Sequence, residues 1–143
     1  MSDAQRRPIV EGVFIETADG PRLLGTRCTT CGTPHFPRSP LCRNAQCGGR
    51  TVEDVHLATQ GELWSYTIQQ YKPPAPMRFD DPFVAYGIGL VDLPEGLRVL
   101  TMMSTPDPGQ LKIGMKVELV LEPLYHDDNG DAVITWKFRP VRA

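Results

Sequence analysis

At 143 residues, 41% hydrophobic and 22% charged, the chain has the make-up of one soluble globular domain, or of a small domain with an appendage. No apolar run reaches the roughly 20 residues of a membrane span, which excludes a helical membrane anchor within it. The net charge of −2 is unevenly spread: residues 1–50 hold seven arginines against four acids, and residues 51–143 hold eight bases against thirteen acids.

Residues 1–7 read as a polar, disordered tail. The run from Ile9 to Glu16 is β-prone, Ala18-Asp19-Gly20-Pro21 is a turn, and Arg22 to Arg27 returns, so a hairpin is expected. That hairpin leads into Cys28-Thr29-Thr30-Cys31, and ten residues later come Cys42 and Cys47 with four residues between them. Two cysteine pairs on tight turns supply the four thiolates that one structural zinc ion takes. Gly32 and Gly48-Gly49 follow the pairs, where positive φ would turn backbone amides toward the sulfurs.

Iron of the rubredoxin type also suits four thiolates, and would make the chain an electron carrier. Two disulfides are the other alternative, but they need an oxidising compartment. Met1 to Arg7 is polar with no apolar stretch behind it, so a cytoplasmic location is expected. The loop between the pairs carries Pro34, Pro37 and Pro40, which keep it extended. His35 is a weaker ligand candidate, because four sulfurs already complete a tetrahedron. Phe36 and Leu41 are expected as the loop's small core, with Arg38 and Arg43 facing outward. The apolar content of this front half is too small for it to fold without metal.

Beyond Gly49 the pattern becomes a series of strands. Gly61 to Ile68 puts Trp64, Tyr66 and Ile68 on one face, and Phe83 to Val91 puts Val84, Tyr86, Ile88 and Leu90 together. The other face of that second strand carries Gly87 and Gly89, a sign of a sharp bend or close backbone contact. Asp92 to Gly96 is a turn, Leu97 to Ser104 returns, and Thr105 to Gly114 is a connecting loop. Met115 to Glu122 turns Val117, Leu119 and Leu121 inward, Asp127 to Gly130 turns, and Ile134, Trp136 and Phe138 face inward on the last strand. Trp64 and Tyr86 are likewise expected inside. Five strands without a long helix fit the OB-fold, a five-stranded Greek-key barrel. The expected organisation is mainly β: a hairpin and zinc ribbon over 1–50 and an OB-fold over 51–143.

The long connection from Tyr71 to Pro82 stands apart. Its large apolar residues Tyr71, Met77 and Phe79 are candidates for a ligand or partner surface, or for packing within the loop.

Catalytic machinery is not evident. His35, His56 and His126 fall in separate segments, four metal-bound cysteines leave no free thiol, and a closed tetrathiolate offers no open metal position. Asp80-Asp81 and Asp127-Asp128 read as solvated turn carboxylates. Binding is what remains. A barrel of charge −5 does not track a phosphate backbone, which argues against nucleic acid.

The order Leu-Leu-x-x-Arg-Cys-x-x-Cys-Gly-x-x-x-Phe-Pro-Arg (Leu23 to Arg38), then Cys42 and Cys47, then Gly61 to Thr67, resembles one family. Pro82 to Tyr86 and Leu111 to Val117 add to the likeness. It is the acyl-CoA-associated rubredoxin-like zinc-ribbon/OB-fold family, and the resemblance spans nearly all the chain from Leu23 onward. It implies a small non-catalytic subunit that pairs with a thiolase-fold enzyme, stabilises it, and helps form its acyl-CoA or CoA site near the interface. By the same resemblance Cys28, Cys31, Cys42 and Cys47 are the metal positions, while Phe36, Pro37 and Arg38 match a loop that contacts partner or CoA. The chain departs from the family in its wider second cysteine pair and in a hairpin where many relatives open with a helix. A stand-alone acyl-CoA or nucleic-acid binding module is the competing reading.

Overall fold

The computed structural model describes residues 6–141. Ten strands follow in order: β1 Arg6–Pro8, β2 Phe14–Thr17, β3 Gly20–Cys28, β4 Pro34–His35, β5 Val52–His56, β6 Gln60–Gln69, β7 Tyr86–Asp92, β8 Arg98–Met103, β9 Lys116–His126 and β10 Ala132–Pro140. A 3₁₀ turn at Pro108–Gln110 is the one helical element among the described residues, and no helix there is long and apolar enough to cross a membrane.

The last five strands close a barrel. β6, β7 and β8 form an antiparallel meander, β8 runs parallel to β10, and β9 pairs antiparallel with both β10 and β6. This is the OB-fold connectivity expected from the sequence. The 3₁₀ turn lies in the expected connecting loop. Asp107 caps it by accepting from the Gly109 amide at 2.8 Å, and Leu111 behind it is buried in the barrel.

The ribbon is a second, smaller sheet with β3 at its centre. Early in β3, Gly20 to Leu23 pair with β2; later residues pair with β4 at Thr26 and Arg27 and with β5 from Leu24 to Cys28. Strand β5, not foreseen in the sequence, thus follows the cysteine loops yet belongs to the ribbon sheet. β2 is also shorter than the expected strand from Ile9 to Glu16.

Ribbon and barrel share one core. Phe14, Leu23 and Leu57 belong to the same buried cluster as Leu63, Val91, Val117 and Phe138, and the Phe36 ring meets the Trp136 ring edge-on at 5.4 Å. Burying a side chain such as Leu23 or Leu57 stabilises by about 1.5–3 kcal/mol. The front half therefore does not rest on metal alone, contrary to the expectation from its own composition. Leu41, expected in a local core, is 55% exposed; Phe36 does the packing, and against the barrel.

Three further corrections have simple causes. Arg6 and Arg7, expected in a disordered tail, lie in β1; residues 1–5 of that tail fall outside the described residues. β8 reaches β10 only at Lys137 and Phe138, so the edge at Ala132 to Ile134 is left open and β1 fills it in parallel.

Trp64 faces outward because β6 carries a bulge between Leu63 and Ser65. The extra residue reverses the alternation, so Leu63 points in before the bulge and Tyr66 and Ile68 pack inward after it.

On β7 the inward phase belongs to Gly87, Gly89 and Val91, and Tyr86 is not in the barrel core. A Cβ on Gly87 would lie 2.7 Å from the Thr105 carbonyl oxygen, and one on Gly89 would lie 2.7 Å from Met103 Sδ. The barrel is too narrow there for a side chain from both strands.

Gly87→Ala should therefore cost about 1–3 kcal/mol in chemical denaturation. Gly89→Ala should cost less, because it presses on the end of a flexible methionine rather than on backbone.

Candidate metal centre and the loops around it

Strand β3 delivers Cys28 to the top of the ribbon. There the Cys28 amide donates to the Thr33 carbonyl at 3.0 Å and the Gly32 amide to the Cys28 carbonyl at 2.9 Å, closing the first loop. Gly32 has φ +77, as the turn demands. The amides of Thr30 and Cys31 aim at Cys28 Sγ from 3.3 and 3.5 Å. In the second loop the Asn44 amide donates to Cys42 Sγ at 3.4 Å and the Gly49 amide to Cys47 Sγ at 3.3 Å.

The four Sγ atoms lie within 4.8 Å of one another, with Cys28 to Cys47 at 3.7 Å and Cys31 to Cys42 at 3.6 Å. A regular tetrahedron with metal–sulfur bonds of about 2.3 Å has sulfur–sulfur edges of about 3.8 Å. The cage thus fits one tetrahedral ion, and the four cysteines are positioned to bind a metal. No sulfur pair is at bonding distance; all four are free thiols.

Glycine acts differently in the two loops. Gly48 and Gly49 are not in the left-handed region that was expected of them. A Cβ on Gly49 would lie 2.9 Å from Cys28 Sγ and from Thr30 Oγ1, so what the position requires is room beside the sulfur. The two extra residues of the second pair are absorbed at Asn44. Its Oδ1 accepts from the Gln46 amide at 3.0 Å, its carbonyl from the Cys47 amide at 3.0 Å, and its Nδ2 donates to Thr33 Oγ1 at 3.3 Å. Asn44 was not singled out in the sequence, although an asparagine just after a loop cysteine is an Asx-turn signal.

His35 is buried behind the cage instead of joining it. Its Nε2 accepts from the Arg43 amide at 3.0 Å, which braces the second loop. Buried Thr26 pins the intervening loop, donating to the Ser39 carbonyl and accepting from the Ser39 amide, both at 3.0 Å.

The sulfurs divide in acidity. The Thr33 hydroxyl and amide hold the Cys31 thiol down at about 6. The Asn44 amide favours the Cys42 thiolate, but desolvation and hydrogen bonds with Cys31, Cys28 and Cys47 push that thiol up to about 12. A cation entering the cage therefore displaces protons as it binds.

The remaining sequence candidates are scattered. Phe36 lies between ribbon and barrel, and Arg38 is 3.6 Å from Asp54. Arg43 is exposed beside the cage. Tyr71 is 80% exposed and Met77 about half exposed, whereas Phe79 stacks on Tyr86 at 5.5 Å and meets Phe83 edge-on at 5.3 Å. These six are not brought together into one site.

Asp80 and Asp127, read as solvated carboxylates, are tied into the structure. Asp80 accepts from the His126 amide at 2.7 Å and from its ring Nδ1 at 2.8 Å, so the loop before β7 is fastened to the end of β9. That backbone amide, then the ring, holds the Asp80 carboxyl below the usual range. Asp127 Oδ1 accepts from the amides of Asn129 and Asp131, and Oδ2 from Arg7 at 3.2 Å.

Residues 18–53 match the family described as ChsH2 rubredoxin-like zinc ribbon domain, and residues 54–122 the ChsH2 C-terminal OB-fold domain. A DUF35 domain-containing scaffold protein of Pyrococcus furiosus is 33% identical over 121 residues, 84% of each chain. The benzoylsuccinyl-CoA thiolase subunit BbsA of Thauera aromatica is 32% identical over 126 residues, 87% of this chain and 81% of that one. Among solved structures, an Ltp2-ChsH2(DUF35) aldolase chain superimposes with a TM-score of 0.62 at 29% identity, covering 83% of this chain and 84% of that one.

Two outcomes follow from the geometry. In Cys42→Ser, hydrogen-exchange protection should fall over residues 29–50 yet persist in β2, most of β3 and the barrel, because the shared core anchors them. Since Asp80 is more acidic folded than unfolded, its contribution is complete above its ordinary pKa near 4 and is lost as pH falls through the lower folded value. The stability gap between wild type and Asp80→Asn should accordingly close below pH of about 4 in acid denaturation.

Proposed function

The chain belongs to the ChsH2 family of paired zinc-ribbon and OB-fold proteins, and on that footing we propose that it is the non-catalytic subunit of a thiolase-type enzyme. That enzyme cleaves or forms carbon–carbon bonds in acyl-CoA thioesters; this chain stabilises the catalytic subunit and helps to form the acyl-CoA site. The observation that carries the reading is the likeness over most of the chain to proteins named as thiolase and aldolase components. A thiolate cage with no place for substrate supports it from the chemical side.

The ion of the cage is zinc, one per chain and structural. The compartment is cytoplasmic, which four unbonded thiols favour. Tyr71 and Met77, exposed on the loop before β7, and Arg43 beside the cage are the candidate contacts with the partner or with CoA. Phe36, Arg38 and Phe79 shape the surface from which those contacts reach out. The ribbon occupies 1–50 and the barrel 51–143. Likeness to BbsA makes benzoylsuccinyl-CoA thiolase of anaerobic toluene degradation the candidate holoenzyme.

Co-expression with the thiolase-type protein encoded beside it should give a stable complex, and omission of this chain should lower thiolase activity. A chain that migrates alone and leaves that activity intact would refute the reading. The purified protein should be colourless and carry one zinc, whereas a red protein would signal an iron tetrathiolate.

A further inference from the structure

An antiparallel barrel strand facing water normally alternates apolar-in with polar-out. On β7 that rule is inverted. Gly87 and Gly89 occupy inward positions, while Tyr86, Ile88 and Leu90 take the outward phase. β8 sets Met102 opposite Ile88 and Leu100 opposite Leu90, so the two strands build one outward apolar stripe. Leu100 is 65% exposed, and Val84, which prolongs the stripe beyond β7, is 70% exposed.

The stripe has distinct ends. At one, the β6 bulge turns Trp64 outward, with the Arg98 guanidinium 3.7 Å over its ring and Arg98 Nε 2.6 Å from Asp92 Oδ1. At the other, a hollow of about 260 Å³ opens between Phe79, Val84, Tyr86, Met102, Leu124 and Lys137. The Lys137 side chain is only 14% exposed, and its nearest acid, Glu122, is 3.5 Å away, longer than a good hydrogen bond. A largely buried ammonium so weakly paired is complementary to a further carboxylate. Elsewhere on the barrel the outward phase is polar: on β9 it carries Lys116, Glu118 and Glu122, and Glu118 pairs with Arg139 at 3.6 Å.

We infer that the outer face of the β7–β8 hairpin is the docking surface for the catalytic subunit, which seats a large apolar side chain in the hollow and sets a carboxylate beside Lys137. This rests on the subunit reading above and adds which face is used and what chemistry it recognises. The side chains displayed there, Trp, Tyr, Met and Arg, are those enriched at interfaces, and a hollow beside an apolar stripe gives an anchor residue a place to insert. The ion pair of Arg98 with Asp92 forms the polar rim at the Trp64 end.

The test is binding to the purified thiolase-type protein encoded beside this chain, read by titration calorimetry, with the lone chain followed by sedimentation. Wild type alone should be a monomer and should bind. Leu100→Asp should weaken binding about thirty-fold or more, as expected for a hot-spot position. Val84→Asp, which lies outside every strand and so does not threaten folding, should weaken it in the same direction, and Lys137→Met about ten-fold. Thermal midpoint and metal content should stay at wild-type values. If wild type binds and the Leu100 and Val84 variants bind equally well, the docking face is wrong while the subunit reading stands. If wild type does not bind, both fall. If the lone chain dimerises and Leu100→Asp makes it monomeric, the face belongs to a second copy and the inference is overturned.

Discussion

The architecture depends on β3 having two jobs at once. It is the central strand of the ribbon, and its buried Leu23 reaches the barrel core together with Phe14 and Leu57. The same strand ends on Cys28, the most buried of the four sulfurs. Metal cage and barrel are thereby referred to one rigid element, and the cage is built on a base that is already folded. A small ribbon on a flexible tether would need the ion to supply nearly all of its folding free energy. Here the ion has only the cysteine loops left to order.

Much of this was legible in the sequence, because the signals were local. Cysteine spacing marks a metal site through the chemistry of thiolates, and alternation in the segments from Gly61, Met115 and Ile134 marks barrel strands. What escaped notice depended on distant partners. The bulge at Trp64 reverses which residues point inward, and nothing in Glu62-Leu63-Trp64-Ser65 announces it. Strand β1 exists because β8 stops short on β10, a gap known only once the barrel is closed. The inversion on β7 was half visible: the glycines were noticed as points of close approach, but the apolar phase was still placed inside. Glycine lining a tight barrel has the opposite consequence, since the core is then filled by Met103 from the neighbouring strand.

The site shows the same division. The four ligands were evident, while the residues that aim them were not. Asn44, His35, Thr26 and Ser39 work through single hydrogen bonds to backbone groups of the cysteine loops or of the loop between them. Such polar residues look ordinary in a proline-rich loop. The acids were misread for a related reason: Asp80 gains its role from His126, 46 positions away.

The parallel pairing of β1 with Ala132 to Ile134 has a practical corollary for handling the protein. Those residues of β10 would otherwise offer unpaired amides and carbonyls to any extended chain, the usual template for strand-to-strand polymerisation. Trimming the amino terminus past Pro8, or crowding it with a bulky fusion, uncovers that template. Purification handles are better placed at the carboxyl end.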